Sequence, residues 1–195
     1  ETRSAGVLRT VSAQTNEEKI LLVDVYNDPD KMDAFLAQLT DLQLANLCSG
    51  QPSVIRWNTG GFGNLAEYGI PNAQFVDGPA GVHTNDLCTA WPVATLLACT
   101  WDEDLLEQIG AAAAQEALSV GGSVWLAPAI NIHRNPLCGR NFEYYSEDPY
   151  LSGRMAIALT KGTQSQGVGV SVKHFATNNK ENNRNAIDSR VSERA

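Results

Sequence analysis

Residues 94–132 read ATLLACTWDEDLLEQIGAAAAQEALSVGGSVWLAPAINI. Ala94 to Cys99 is a nearly continuous apolar run and reads as a buried strand. Thr100 stands three residues before Glu103, the spacing of a capping box, so a helix is expected to start there and to run through the alanines to about Val120. Gly121-Gly122 supplies the stop. Val124 to Ile132 is apolar again and reads as the next strand. A strand, a helix and a strand in this order form a parallel βαβ unit.

The same rhythm extends outward. Ala73 to Val76 is a short apolar strand that ends at Asp77-Gly78-Pro79. Asp148-Pro149 provides the N-cap and first residue of a second long helix, with Leu151, Met155 and Leu159 on one face. Val168 to Phe175 reads as a further strand. These strands are apolar on both faces, as parallel strands covered by helices must be. The expected fold class is α/β: an incomplete (β/α)8 TIM-type barrel with about four β/α units. A closed barrel takes about 250 residues, and this chain has 195. The barrel is therefore expected to be completed by residues or a chain outside this sequence, and residues 188–195 read as the first turn of an unfinished helix.

Towards the N-terminus, residues 1–29 are polar apart from an apolar patch at Ile20 to Val25, and read as an extension or interdomain linker. Residues 30–195 then form the barrel portion. Met32, Phe35, Leu36 and Leu39 lie at helical spacing, and Thr40 with Gln43 makes a capping box for a short helix towards Leu47. Residues 49–72 are rich in Gly, Asn and Pro and read as a long loop.

The composition, 43% apolar and 18% charged, is that of an ordinary globular protein. A net charge of −8 argues against nucleic acid as a partner, because phosphate binding needs a basic surface, and suits a neutral ligand. No apolar run reaches the roughly 18 residues of a membrane helix, so no membrane partner is expected. The four cysteines fit no zinc spacing and read as free thiols, with Cys48 and Cys99 as small buried hydrophobes. The lack of an Asn-x-Ser/Thr sequon and of a signal-like start favours a cytoplasmic over a secreted location.

In parallel β/α folds, functional groups gather at the carboxyl ends of strands. Asp77 follows one strand directly, Arg140 and Glu143 lie in the loop after another, and Lys173-His174 closes a third. The Asp77 carboxylate can accept two neighbouring hydroxyl donors, or can open a turn with Gly78-Pro79. Arg140 can present a planar charged fork, or can brace its loop through Glu143. Adjacent strand residues point to opposite faces. Lys173 and His174 can serve one rim only if the peptide between them is cis or the strand bulges. A metal site at His174, Asn178 and Glu181 is disfavoured, since amides are poor ligands. Neither GxGxxG nor GxSxG occurs. Trp57 and Trp91, in loops, are candidates to stack on a sugar face, whereas Trp125 reads as core.

Four stretches, DGPAGVH (77–83), TLLACTWDEDL (95–105), GRNFEYYSEDPYLSG (139–153) and KHFATNNKENNR (173–184), together resemble glycoside hydrolase family 3, the β-glucosidase family. The resemblance runs from about Leu42 to Ala195. It is nearest to the bacterial branch with reversed domain order, in which an α/β sandwich precedes the barrel; TRSAGV at 2–7 would end the connection from it. The resemblance implies a retaining, exo-acting β-glucosidase of terminal non-reducing β-D-glucosyl residues, without cofactor or metal. It assigns Asp77, Arg140, Lys173 and His174 to the terminal-glucose (−1) subsite. His83 stands six residues after Asp77, where family members often carry Arg. The family's nucleophile and acid/base match nothing in these 195 residues, so the chain by itself is expected to be inactive. Its expected partners are a β-glucoside, the remainder of the same enzyme and further copies in a homo-oligomer. Alone, with open strand edges, it is expected to be insoluble or dimeric. The alternatives are a β-xylosidase of the same family and a non-catalytic carbohydrate-binding or scaffold fragment.

Overall fold

The computed structural model describes residues 18–54 and 59–194. The described residues fall into two units, between which the chain passes three times. The smaller comprises residues up to Gln51 with Phe62–Asn72, and the larger comprises Pro52–Gly61 with Ala73 onward.

In the smaller unit the apolar patch at Ile20 to Val25 carries helix α1 (Leu22–Asn27), followed by α2 (Met32–Ala37) and α3 (Asp41–Leu47). The capping box expected at the start of α3 is present: Gln43 N–H donates to Thr40 Oγ1 and Thr40 N–H to Gln43 Oε1. Val25, Phe35 and Leu39 form a small buried core, bordered by Tyr68, whose ring meets Phe35 edge-on at 6.4 Å. The stretch 49–72, expected to be a loop, instead contains strand β1 (Gly61–Leu65) and the start of β2 (Ile70–Val76) beside it. The glycines here mark close backbone approach rather than looping. A Cβ on Gly63 would lie 2.3 Å from the Pro71 carbonyl oxygen, which only glycine permits.

In the larger unit β2, β3 (Val124–Trp125) and β4 (Gly169–Val170) pair in parallel, with Val76 opposite Trp125 and Trp125 opposite Val170. The parallel order expected from the sequence therefore holds for three strands. The expected strand at Ala94–Cys99 is helix α4 (Ala94–Ala98). Ala94, Leu97 and Ala98 are its buried residues, at helical spacing, and the run consists mostly of Ala and Leu, the strongest helix formers. Thr100 closes α4 rather than opening the next helix: its hydroxyl donates to Leu97 O at 2.6 Å. The cap of α5 (Glu103–Ser119) is Asp102, whose Oδ1 accepts from Leu105 N–H at 2.9 Å.

Helix α6 (Pro149–Ser165) starts on Asp148 as its sequence signal indicates, and buries Leu151, Met155 and Leu159. It packs on α5 through small residues. Gly110 and Gly162 let the two backbones meet, and Thr163 Oγ1 bonds both Gly110 O and Leu159 O.

The two long strands expected at Val124–Ile132 and Val168–Phe175 are regular for only two residues each. Pro128 has no N–H and interrupts the ladder. Pairing resumes past it at the bridge between Ala129 and Lys173, where Ile130 N–H meets Lys173 O at 2.6 Å. That bridge carries the strand path to the rim. The four cysteines are free. Cys48 and Cys99, expected to be buried, are exposed because each caps the outer end of a short helix, whereas Cys138 is buried. Among the described residues no helix is long and apolar enough to cross a membrane.

Candidate functional site

The register of β2, β3 and β4 brings the ends of three chain segments to one edge. Asp77 leaves β2 directly. Its Oδ1 accepts from Lys173 Nζ at 2.8 Å and from Gly78 N–H at 2.8 Å. The turn after it is tight. A Cβ on Gly78, whose φ is +103°, would lie 2.0 Å from Gly81 O. The turn folds the chain back so that His83 N–H donates to Asp77 O at 2.9 Å. Lys173 arrives from the far side, with its side chain only 14% exposed.

Arg140 lies between these groups and the 173–184 loop. Its Nε donates to the buried Glu143 carboxylate, and its Nη1 lies 3.7 Å from Glu181 Oε1. Asp77, His83, Arg140, Phe142, Glu143 and Lys173 line one cavity of about 510 Å³. His174 lines a neighbouring cavity of about 470 Å³ with Asn178 and Arg184, and Arg140 borders both. Four of the five residues singled out in the sequence thus face one cavity, and the fifth is joined to them through Arg140. The peptide between Lys173 and His174 is cis, one of the two geometries expected if both residues serve this rim.

The electrostatics follow from this packing. Burial would raise the Asp77 carboxyl. The hydrogen bonds from Lys173 and Gly78, with the charges of Lys173 and Arg140, outweigh it and hold the group below the usual value. Burial disfavours the charged form of His174, and the nearby Arg140 and Lys173 push the same way, so its pKa lies below the ordinary histidine value. Burial opposes the charge of Arg140 as well, but Glu143 more than compensates and its pKa is raised. Glu181 is lowered, first by the hydrogen bond from Asn178 and also by Arg140 and Arg184. Asp77 therefore offers an ionised acceptor and His174 a neutral ring at neutral pH.

Sequence reasoning missed the support behind His174. Tyr144 OH lies 2.8 Å from His174 Nδ1, and Asn178 Nδ2 donates to Tyr144 OH at 2.8 Å and to Glu181 Oε1 at 2.7 Å. Asn131 anchors the loop by exchanging hydrogen bonds with the Asn178 backbone. Only the chain of amides in TNNKENN signalled a loop needing such partners. Glu181 and Arg184 brace it, at 3.3 Å. Among the described residues no group of three or more His, Cys, Asp or Glu side chains is placed to hold a metal ion. Trp125 is core, its indole N–H donating to Gly78 O at 3.0 Å. Trp91 packs against the core, and Trp57 lies outside the described residues.

A mixed α/β chain with its charged groups gathered at the carboxyl edge of parallel strands is built as β/α enzymes are built. The sequence profile of the glycosyl hydrolase family 3 N-terminal domain matches residues 64–193, and the chain belongs to that family. It is 48% identical to Beta-glucosidase A of Butyrivibrio fibrisolvens over 100% of this chain and 25% of that protein. It is 43% identical to Thermostable beta-glucosidase B of Acetivibrio thermocellus over 82% of this chain and 22% of that one. Among solved structures it matches beta-glucosidase 3B from Thermotoga neapolitana in complex with glucose, with a TM-score of 0.72 and 46% identity over 77% of this chain and 24% of that one. A beta-glucosidase from Paenibacillus barengoltzii matches with a TM-score of 0.77 and 39% identity, over 92% and 21%. The chain spans at most a quarter of the length of these relatives.

Proposed function

We propose that this chain supplies much of the terminal-glucose subsite of a retaining, exo-acting β-glucosidase. The observation that carries this reading is the ion pair between Lys173 and Asp77, 96 residues apart in sequence and 2.8 Å apart in space, at a cavity that Arg140 and His83 also line. A fixed carboxylate beside fixed N–H donors suits vicinal hydroxyls, which both donate and accept. Polar groups left without partners would penalise sugars lacking those hydroxyls. In the same reading residues 30–195 form the first part of a (β/α)8 barrel, preceded by residues 1–29 as a linker and completed by the remainder of the enzyme.

Retaining hydrolysis needs two carboxyl groups about 5–5.5 Å apart, one of them free to attack. Glu143 and Glu181, the acidic side chains next to the site, are both engaged by Arg140. We therefore place the nucleophile and the acid/base outside these 195 residues, which makes the chain inactive by itself.

The test is a 2-fluoro-glucosyl inactivator applied to the enzyme that carries this chain, followed by peptide mapping. The expected label sits on a carboxylate outside the chain. A label within it overturns the assignment, and a binding-competent protein that takes no label is a non-catalytic carbohydrate-binding fragment. A second reading rests on a relative 41% identical over 80% of this chain, an exo-alpha-(1->6)-L-arabinopyranosidase of Bifidobacterium longum. A subsite for a pyranose without a hydroxymethyl group would also admit xylosides. Comparing kcat/KM for aryl β-glucoside, β-xyloside and α-L-arabinopyranoside separates these readings.

A further inference from the structure

The relay behind His174 has a direction, and the direction can be worked out from its far end. Glu181 is ionised, because Asn178, Arg140 and Arg184 all favour its charge. A carboxylate only accepts. The Asn178 group 2.7 Å from Glu181 is therefore its NH2, and the same nitrogen lies 2.8 Å from Tyr144 OH. One of its two protons goes to Glu181 and the other to the Tyr144 oxygen. Tyr144 is fully buried. If its own proton had no acceptor it would be an unsatisfied buried donor, which is costly. His174 Nδ1, at 2.8 Å, is the acceptor in reach. Nδ1 is then unprotonated, and a neutral ring carries its proton on Nε2.

We propose that Tyr144, oriented by Asn178 and Glu181, is a positioning residue that locks His174 as the Nε2–H tautomer, so that His174 presents a hydrogen-bond donor, and no acceptor, to the sugar. The presentation to sugar rests on the glucose-subsite reading above; the tautomer does not. Tyr144 acts only through His174. The relay starts and ends in the 173–184 stretch and passes through Tyr144 of the 139–153 stretch, so it also explains why the two segments carry matched polar groups. The sugar hydroxyl facing His174 must then accept, leaving its own proton for another acceptor of the subsite.

The experiment uses the whole enzyme with 15N-labelled histidine, without ligand, at neutral pH. Protonated and unprotonated ring nitrogens differ widely in 15N shift, and His174→Gln identifies the resonance. The expected spectrum has a protonated Nε2 and an unprotonated Nδ1. Tyr144→Phe removes the donor to Nδ1 and should give mixed tautomers. Asn178→Asp replaces the donor to Tyr144 with an acceptor, reverses the relay and should move the proton to Nδ1. A wild-type ring that is Nδ1–H or doubly protonated overturns the proposal even if neither variant folds. So does a spectrum that both folded variants leave unchanged. In parallel, kcat/KM for an aryl β-glucoside should fall about fivefold to tenfold in Tyr144→Phe, mainly through KM. A shifted tautomer with unchanged KM leaves the relay standing and refutes His174 as a sugar contact. Failure of the glucose reading is thus seen separately from failure of the relay.

Discussion

Replacing Gly162 with alanine should loosen the helix pair that supports the site, and replacing Gly153 in the same helix should not. A Cβ on Gly162 would lie 1.9 Å from Glu107 O, 2.8 Å from the Glu107 carbonyl carbon and 2.9 Å from Ala111 N. All three are backbone atoms of α5, so no side chain can swing away. Restoring an ordinary contact of roughly 3.4 Å to the oxygen demands about 1.5 Å of local separation between α5 and α6. Overpacking typically costs about 1–3 kcal/mol, and a clash with rigid backbone belongs at the top of that range. The helix-propensity gain of alanine over glycine returns about 1 kcal/mol. The net expectation is a loss of about 2 kcal/mol, or about 4–8 °C in the unfolding midpoint of a unit this size. At Gly153 a Cβ meets nothing within 4 Å, so only the propensity gain of about 1 kcal/mol operates. Scanning calorimetry of the enzyme carrying each variant reads the two midpoints. A Gly162→Ala midpoint at or above wild type would refute the close approach of the two helices.

Three further outcomes follow from the site. Lys173→Met removes the ammonium and keeps the stem; the lost charge-assisted hydrogen bonds should raise KM for an aryl β-glucoside about 10- to 100-fold with unchanged circular dichroism, and an unaltered KM would remove Lys173 from the subsite. Stability should decline on the acid side. His174 binds fewer protons folded than unfolded, so stability falls as pH drops below the ordinary histidine value of 6.5; Asp77 adds a second decline below its ordinary 3.8. In unfolding midpoints measured against pH, His174→Gln should abolish the upper decline and spare the lower, and an identical profile would contradict the burial of a neutral ring. Finally, KM for a neutral glucoside should change less than about twofold between about 0.05 and 0.5 M NaCl, because paired charges exert little field beyond a Debye length; a several-fold salt dependence would mean that an unpaired charge binds the ligand.

The sequence disclosed the helices with strong end signals and the residues at strand ends. It misled where apolar content was mistaken for strand. Asp148-Pro149 marked α6 to the residue because an N-cap and a proline at the first position act locally. Ala94–Cys99 was ambiguous because a short apolar run has no period of its own, and Ala-Leu content favoured the helix that formed. Residues 61–72 were obscured by their glycines and Pro71, which tolerate close backbone contact here rather than forming a loop. At the site, Asp77, Arg140 and Lys173 could be gathered from sequence because each lies at a strand end or in the loop after one, whereas His83 was reached only through the family resemblance. The roles of Tyr144 and Asn178 could not, because both depend on side chains from segments 34 residues apart meeting in one orientation.

On the glucose-subsite reading, discrimination would come from the paired charges of the site as a set rather than from any single residue. Lys173 faces Asp77 at 2.8 Å, Arg140 faces Glu143 and Glu181, and Arg184 faces Glu181 at 3.3 Å. Three cations are thus set against three carboxylates in a chain whose net charge is −8. An anionic ligand would have to break one of these pairs and leave a carboxylate without its partner, a loss that grows as the ligand desolvates the cavity. A neutral polyol has no such requirement. It can take the remaining hydrogen-bonding capacity of each paired group while the pairs stay intact. Ion pairing also fixes the side chains before the ligand arrives, so little rotamer entropy is lost on binding. The same carboxylates that cancel the charge are thereby committed to holding cations in place. On the glucose-subsite reading, a site whose carboxylates are all committed to cations binds the sugar and takes its reacting carboxyl groups from elsewhere.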